Sequence, residues 1–193
     1  MQTTTDKTTG LSAFKEWAVS VNALGEGRQV MLFRKGGIKE KGLEFKVEYP
    51  HFYLYPTYEH QDKASLKPEF HADLDRALAE KPDLGEVVLR YWARVEEAIG
   101  LTSMDPVLRQ APNHLWSEDC VRARFEFQPA KPLWLLILRV HRLAEPVKLE
   151  VREEYTGCRS WVDLMEQLGE RECAPVLDDA AFQSMAAKVK ALL

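Results

Sequence analysis

Apolar residues recur in two rhythms along this chain, and the switches between them mark its elements. From Ser12 onward Phe14, Trp17, Ala18, Val21 and Leu24 return at helical spacing, with Ser12 as N-cap and Gly25 and Gly27 as a stop. This predicts a helix over Ser12–Leu24. Gln29–Phe33 is a short, mostly apolar strand, and Gly36-Gly37 supplies the permissive backbone of a turn. Phe45, Val47 and Tyr49 alternate with charged residues, as in a half-buried strand. Phe52–Tyr55 is a third strand that ends at Pro56. A proline there, with no amide hydrogen for the ladder, predicts an edge position or a strand end.

Between Lys67 and Glu80 the positions of Phe70, Leu74, Ala77 and Leu78 fit a helix closed by Pro82. Val87, Leu89, Tyr91, Ala93 and Val95 alternate and predict a strand, with a helix still open for Arg94–Ile99. Val121, Ala123, Phe125 and Phe127 alternate too, yet Ser117-Glu118-Asp119 before them suits a helix cap, so a helix breaking into a strand near Arg124 is the compromise. Leu133–Val140 reads as a central strand, apolar on both faces, with polar alternation through Arg139, His141 and Arg142. Ser160–Leu168 opens like a capped helix, and Asp178–Leu192 is a terminal helix with Phe182, Met185, Ala186 and Val189 on one face. The order of elements predicts an α+β fold rather than a regular alternating parallel sheet. We expect one domain over residues 11–193, a mixed, curved sheet or partial barrel flanked by helices, preceded by a polar, disordered lead-in at residues 1–10. Its outline is similar to the PUA-like barrels that hold RNA or modified bases, a likeness of fold and not of motifs.

Composition narrows the setting. At 193 residues, 46% hydrophobic and 10% aromatic, the chain can bury one substantial core. A net charge of −4 excludes a uniformly basic, polyanion-coating surface, so any nucleic-acid contact needs a local basic patch. Cys120, Cys158 and Cys173 are scattered, without the close pairs of a zinc site, and suit reduced thiols in the cytoplasm. The first ten residues lack a signal peptide's apolar stretch, and Leu133–Leu138 is far too short to cross a bilayer, so a soluble protein without a membrane partner is expected. No ligand spacing predicts a metal, and no motif predicts a cofactor.

The candidate chemistry sits where strands end. Arg34-Lys35-Gly36-Gly37 joins two cations to glycines that let backbone amides approach an anion, though neither Walker spacing nor its hydroxyl is present; a solvated hairpin turn is the alternative. Tyr55-Pro56-Thr57-Tyr58-Glu59-His60-Gln61 offers groups that donate, accept or titrate near neutrality. His114 and Trp116 share a later loop, where the indole suits stacking on a flat ring. His51, His71 and His141 read as surface histidines. Arg90, Arg94, Arg122, Arg124, Arg139 and Arg142 recur at strand spacing, as on one basic sheet face or in cross-strand pairs with glutamates. Glu44-Phe45-Lys46 has the look of a nuclease Glu-x-Lys element, but the upstream aspartate is missing and no nuclease activity is assigned. Cys158, before Arg159, suits a small side chain packed under Trp161 better than a nucleophile.

Together, Glu16-Trp17-Ala18, Leu32-Phe33-Arg34-Lys35-Gly36-Gly37-Ile38, Phe52-Tyr53-Leu54-Tyr55-Pro56-Thr57-Tyr58-Glu59-His60-Gln61, His114-Leu115-Trp116-Ser117, Leu138-Arg139-Val140-His141-Arg142-Leu143 and Gly157-Cys158-Arg159-Ser160-Trp161 resemble the bacterial domain of unknown function 1802. The resemblance covers about residues 11 to 165. It implies a loose link to restriction and defence systems, and hence nucleic acid or a restriction-type protein as partner, but no catalytic residues. The leading expectation is a ligand-recognition module for nucleic acid or a nucleotide. It would use Arg34, Lys35, Gly36, Gly37, Tyr55, Thr57, His60, Gln61, His114 and Trp116, with both polar motifs on one concave surface and His114 and Trp116 at its rim. The rivals are a hydrolase or transferase with His60 or His114 as base, and a protein-interaction scaffold.

Overall fold

The computed structural model describes residues 6–7, 12–35, 40–41, 44–45, 50–157, 160–164, 168 and 170–193. In chain order these form β1 (Asp6–Lys7), β2 (Ser12–Trp17), α1 (Ala18–Gly25), β3 (Met31–Arg34), β4 (Glu40–Lys41), β5 (Glu44–Phe45), β6 (His51–Thr57), α2 (His71–Ala79), β7 (Glu86–Leu101), α3 (Met104–Arg109), α4 (Glu118–Glu126), β8 (Leu133–Glu150), β9 (Trp161–Asp163), β10 (Glu172–Pro175) and α5 (Asp179–Lys190). The main sheet runs β1-β10-β8-β7-β6-β2-β9, with β3 also on β8, and β4 pairs with β5 apart from it. β2 and β6 are parallel and the other described pairs antiparallel, so the fold is mixed α+β.

β7 and β8 form a long antiparallel hairpin whose ladder shifts register between Leu89 and Tyr91 and again between Val95 and Glu97. Such irregularities bend a strand and increase its twist. The sheet therefore rolls, and the Arg34 side chain at the end of β3 reaches Glu16 of β2 and Ser160 just before β9. Phe14, Leu32, Phe52, Leu54, Ala93, Leu136 and Leu138 fill the inside of the roll. Trp161 of β9 packs edge-on against Phe14 at 4.8 Å and Phe52 at 5.0 Å. A second core lies outside β3 and the first half of β8, where Phe33, Leu135 and Ile137 meet Leu74, Val107, Trp116, Val121 and Phe182.

The predicted strand at Leu133–Val140 is the first half of β8, paired along its edges with β7 and β3 and buried on both faces because the outer helices cover Leu133, Leu135 and Ile137 while Phe14 and Phe52 cover Leu136 and Leu138. The terminal helix forms as expected, with Asp178 accepting from the Ala181 amide. Pro56 is the penultimate residue of β6, opposite Glu16, beyond the β6–β7 pairing of residues 51–53 with 92–94. Arg94–Ile99 continues β7 as a strand.

Three expectations are corrected. The helix placed at Ser12–Leu24 is β2 followed by α1: Phe14 and Trp17 satisfy helical spacing, but Ala13–Trp17 pair with β6 and Ser12–Phe14 with β9, and ladder bonds override a weak local preference. α1 is buried nearly all round and shows no single apolar stripe. The cap signal prevails at Ser117, whose side chain accepts from the Cys120 amide, and α4 stays helical through Glu126. Arg122 and Arg124 consequently lie on a helix and not on a sheet face. Ser160–Leu168 opens as strand β9, added to the edge of β2, while residues 165–167 lie outside the description. Gly36, Gly37, Lys46, Val47, Tyr49 and Cys158 also lie outside the described residues.

Gly25 and Gly27 end α1 in different ways. Gly27 adopts φ 69°, where other residues are strained. At Gly25 the Tyr91 ring takes the place of a side chain: a Cβ would fall 2.1 Å from its Cζ.

Candidate functional site

Three strand ends meet at one rim of the rolled sheet. Because β2 and β6 run parallel, Trp17 pairs with Thr57 at their C-terminal ends. β3 ends at Arg34, whose guanidinium spans the seam. Its Nη1 lies 3.7 Å from Glu16 Oε2, its Nη2 donates to the Ser160 hydroxyl just before β9, and its Cζ sits 4.3 Å from the Phe14 ring centre. Glu16 is nearly buried, and its Oε1 accepts from the Trp17 amide at 2.8 Å. Arg34 Nε and Glu16 Oε2 are buried without a hydrogen bond among the described residues. Burial pushes the Arg34 pKa below the ordinary arginine value; Glu16 opposes that shift and Arg124 adds to it. Arginine nevertheless remains charged in proteins. The site thus holds a cation largely removed from water, with one donor unmet and a like charge nearby.

A hydrogen-bonded path joins this pair to the second polar motif. The Thr57 hydroxyl donates to the Glu16 carbonyl at 3.1 Å, and the Gln61 side-chain amide donates to the Thr57 carbonyl. Gln61 Oε1 is buried without a partner among the described residues. His60, beside it, is exposed and adopts the left-handed conformation at φ 57°. Lys35 turns toward α4, where its ammonium donates to the carbonyls of Phe125 at 2.6 Å and Lys131 at 2.7 Å. Tyr55 faces the opposite side of β6, in a groove of about 220 Å³ that also holds Lys15, Thr57, Lys81 and Tyr155. Burial first, and Glu59 second, push the Tyr55 pKa up to about 12, so its phenol remains a hydrogen-bond donor at neutral pH.

His114 and Trp116 occupy the other side of β3. Strand alternation turns Phe33 outward, and its ring meets His114 at 5.3 Å. Trp116 is 1% exposed, edge-on to Trp17 at 5.0 Å and covered by the Arg124 guanidinium at 3.8 Å. It is a core indole, not a stacking platform at the rim, because the outer helices close over it. The His114 ring accepts the Trp116 amide on Nδ1 at 3.1 Å, which puts its proton on Nε2. Burial, then Lys67 and Arg124, lower the His114 pKa to about 3. The ring is neutral, and a lone pair so engaged is not free to take a proton from a bound molecule.

A pH dependence follows. Unfolded, His114 takes up a proton near pH 6.5; folded, it does so only near pH 3. As pH falls between these values the unfolded chain binds more protons, so stability present above pH 6.5 is progressively lost. His114→Phe should be less stable at neutrality but show a shallower loss from pH 6.5 to about 5, before most carboxylates titrate. Urea midpoints measured across that range check this, and parallel curves for variant and parent would contradict it.

The histidines read as surface groups divide differently. His141 is buried and edge-on to Trp92 at 5.2 Å, whereas half-buried His51 stacks on Trp92 at 5.3 Å. Both follow from sheet register, which places His51 and His141 opposite Arg94 and Trp92 of β7. The candidate list omitted Glu16, Arg124 and Ser160. Glu16 carried one signal, a charge between Phe14 and Trp17, obscured by the helical reading. Among the described residues no cluster of three or more histidine, cysteine or acidic side chains could hold a metal, and no helix is long and apolar enough to cross a membrane.

A rolled mixed sheet with an arginine–glutamate pair across its seam defines an α+β domain with a polar rim. Residues 13–188 match the family described as Domain of unknown function (DUF1802), and the chain belongs to that family. No curated protein matches the sequence. Among solved structures the chain is similar to ASCH from Zymomonas mobilis, with 14% identity over 91% of this chain and 93% of that one and a TM-score of 0.46. It is similar also to a serine-to-alanine mutant of that protein, with 15% identity over 91% and 94% of the two chains and a TM-score of 0.48.

Proposed function

We propose that this domain recognises a nucleotide or nucleic acid by holding a phosphate at the Arg34 rim. The observation that carries the reading is the state of Arg34: a mostly buried guanidinium whose Nε donor is unmet among the described residues, set near Arg124 and beside the Glu16 carboxylate. An anion at the part of the Arg34 side chain that still meets solvent would offset the repulsion between the two arginines. Trp17 and Trp161, each only half-buried at this rim, are better placed than Trp116 to meet a flat ring. Gln61, tied to the same rim through Thr57, offers its carbonyl oxygen to a polar edge. The reading sets the protein in the cytoplasm, with a restriction-type protein as a candidate partner.

Arg34→Lys keeps the charge and loses the planar fork, so it should weaken binding by about tenfold, the loss of one charge-assisted hydrogen bond. Gln61→Ala should change preference among ligands more than overall affinity. The test titrates mononucleotides and short single- and double-stranded oligonucleotides at about 50 and 200 mM salt, followed by tryptophan fluorescence with Trp17→Phe as control. Saturable binding that weakens with salt and with Arg34→Lys supports the reading. Absence of saturable binding, or binding indifferent to both, removes it.

A further inference from the structure

On the far side of β3 from Arg34, α3, α4 and the loop through Lys67 enclose a cavity of about 240 Å³. Its body is apolar: Val107 and Val121 are buried, and Leu108 and Trp116 complete the walls. Lys67, His114 and Glu118 are the polar residues among its lining. The Trp116 amide occupies His114 Nδ1, so Nε2 carries the ring proton, and that donor has no protein partner among the described residues. The Lys67 ammonium donates to the carbonyls of Ala111 and His114, which commits two of its three hydrogens.

Charge around the cavity favours an anion. Lys67 lies at its rim, and Arg124 covers the indole that forms one wall. The lining carboxylate, Glu118, is already paired with Arg122 at 2.7 Å. We propose that this cavity is a binding site for a small organic anion with an apolar body, such as a single-ring carboxylate. The carboxylate accepts from His114 Nε2 and the remaining Lys67 hydrogen, while the ring packs against Val107, Leu108, Val121 and Trp116. Size fits the class, since dry apolar cavities of about 150 Å³ already take up benzene. The lowered His114 pKa is consistent with a ring that serves as a fixed neutral donor. The site lies across β3 from the Arg34 rim, shares the nearby Arg124 with it, and does not depend on its reading.

The test uses the full chain with 4-fluorobenzoate, its neutral isostere 4-fluorobenzamide, and inorganic phosphate, each followed by fluorine or phosphorus line-broadening and by melting temperature. The benzoate should broaden and stabilise the protein in the millimolar range or below, with the amide and phosphate at least about tenfold weaker, as one charge-assisted contact or the apolar contact is lost. Lys67→Met should weaken benzoate by a similar factor. Ala111→Trp, at an exposed rim position, should block entry without disturbing the fold, and it carries the test if Lys67→Met fails to fold. No binding of benzoate, equal binding of the amide, or unchanged binding to Ala111→Trp would overturn the proposal.

Discussion

Leu136→Asp should remove most of the stability of the domain. Leu136 is 1% exposed on β8, opposite Leu32 of β3 and Ala98 of β7, inside the roll with Phe14 and Phe52. The substitution empties an apolar volume and places a carboxylate where its neighbours in that cluster are hydrocarbon. Each change is costly, and together they should exceed about 4 kcal/mol, a large share of the 5–15 kcal/mol that holds a domain. Leu136→Met, nearly equal in volume, should cost less than about 1.5 kcal/mol and serves as control. Urea unfolding measures both. An aspartate variant that melts within a degree or two of the parent would show that Leu136 is not interior.

The second large effect concerns the pair across the seam. Arg34→Met leaves Glu16 buried at 3% side-chain exposure without its cation. Discounted for the 18% of the Arg34 side chain that still meets solvent, the loss should be about 2–4 kcal/mol. Glu16→Leu added to Arg34→Met should recover most of it, because apolar residues of similar volume replace a poorly hydrogen-bonded pair at little net cost. The double variant should fold well yet fail to bind any phosphate-bearing ligand. Strictly additive losses in a double-mutant cycle would mean the two side chains do not interact. A stable double variant that still binds would move the ligand site away from the rim.

The two outcomes probe different kinds of information in the chain. Leu136 was legible because a run of apolar residues on both strand faces has few explanations besides a central strand. Glu16 was not. Its spacing relative to Phe14 and Trp17 is compatible with the polar face of a helix, and only the parallel ladder to β6 and the antiparallel ladder to β9 turn it inward. The same limit explains Ser160, whose place beside Arg34 depends on a strand arriving from more than a hundred residues away. Arg124 was misread for a local reason: an alternating pattern too short to outweigh a good N-cap at Ser117.

Sequence alone determined what local chemistry can determine. It placed the central strand at Leu133–Val140, the capped terminal helix, the glycine stop after Leu24, the α+β class and the two polar motifs at strand ends. Periodicity, capping and backbone permissiveness act over a few residues, so a single pass along the chain reads them. Tertiary structure decided which strand ends share a rim, which face each side chain takes, and which polar atoms are left unmet. It joined Arg34 to Gln61 through Glu16 and Thr57, and it put His114 and Trp116 behind β3. Those choices depend on ladder register and sheet curvature, and both arise from pairings between segments far apart in the chain.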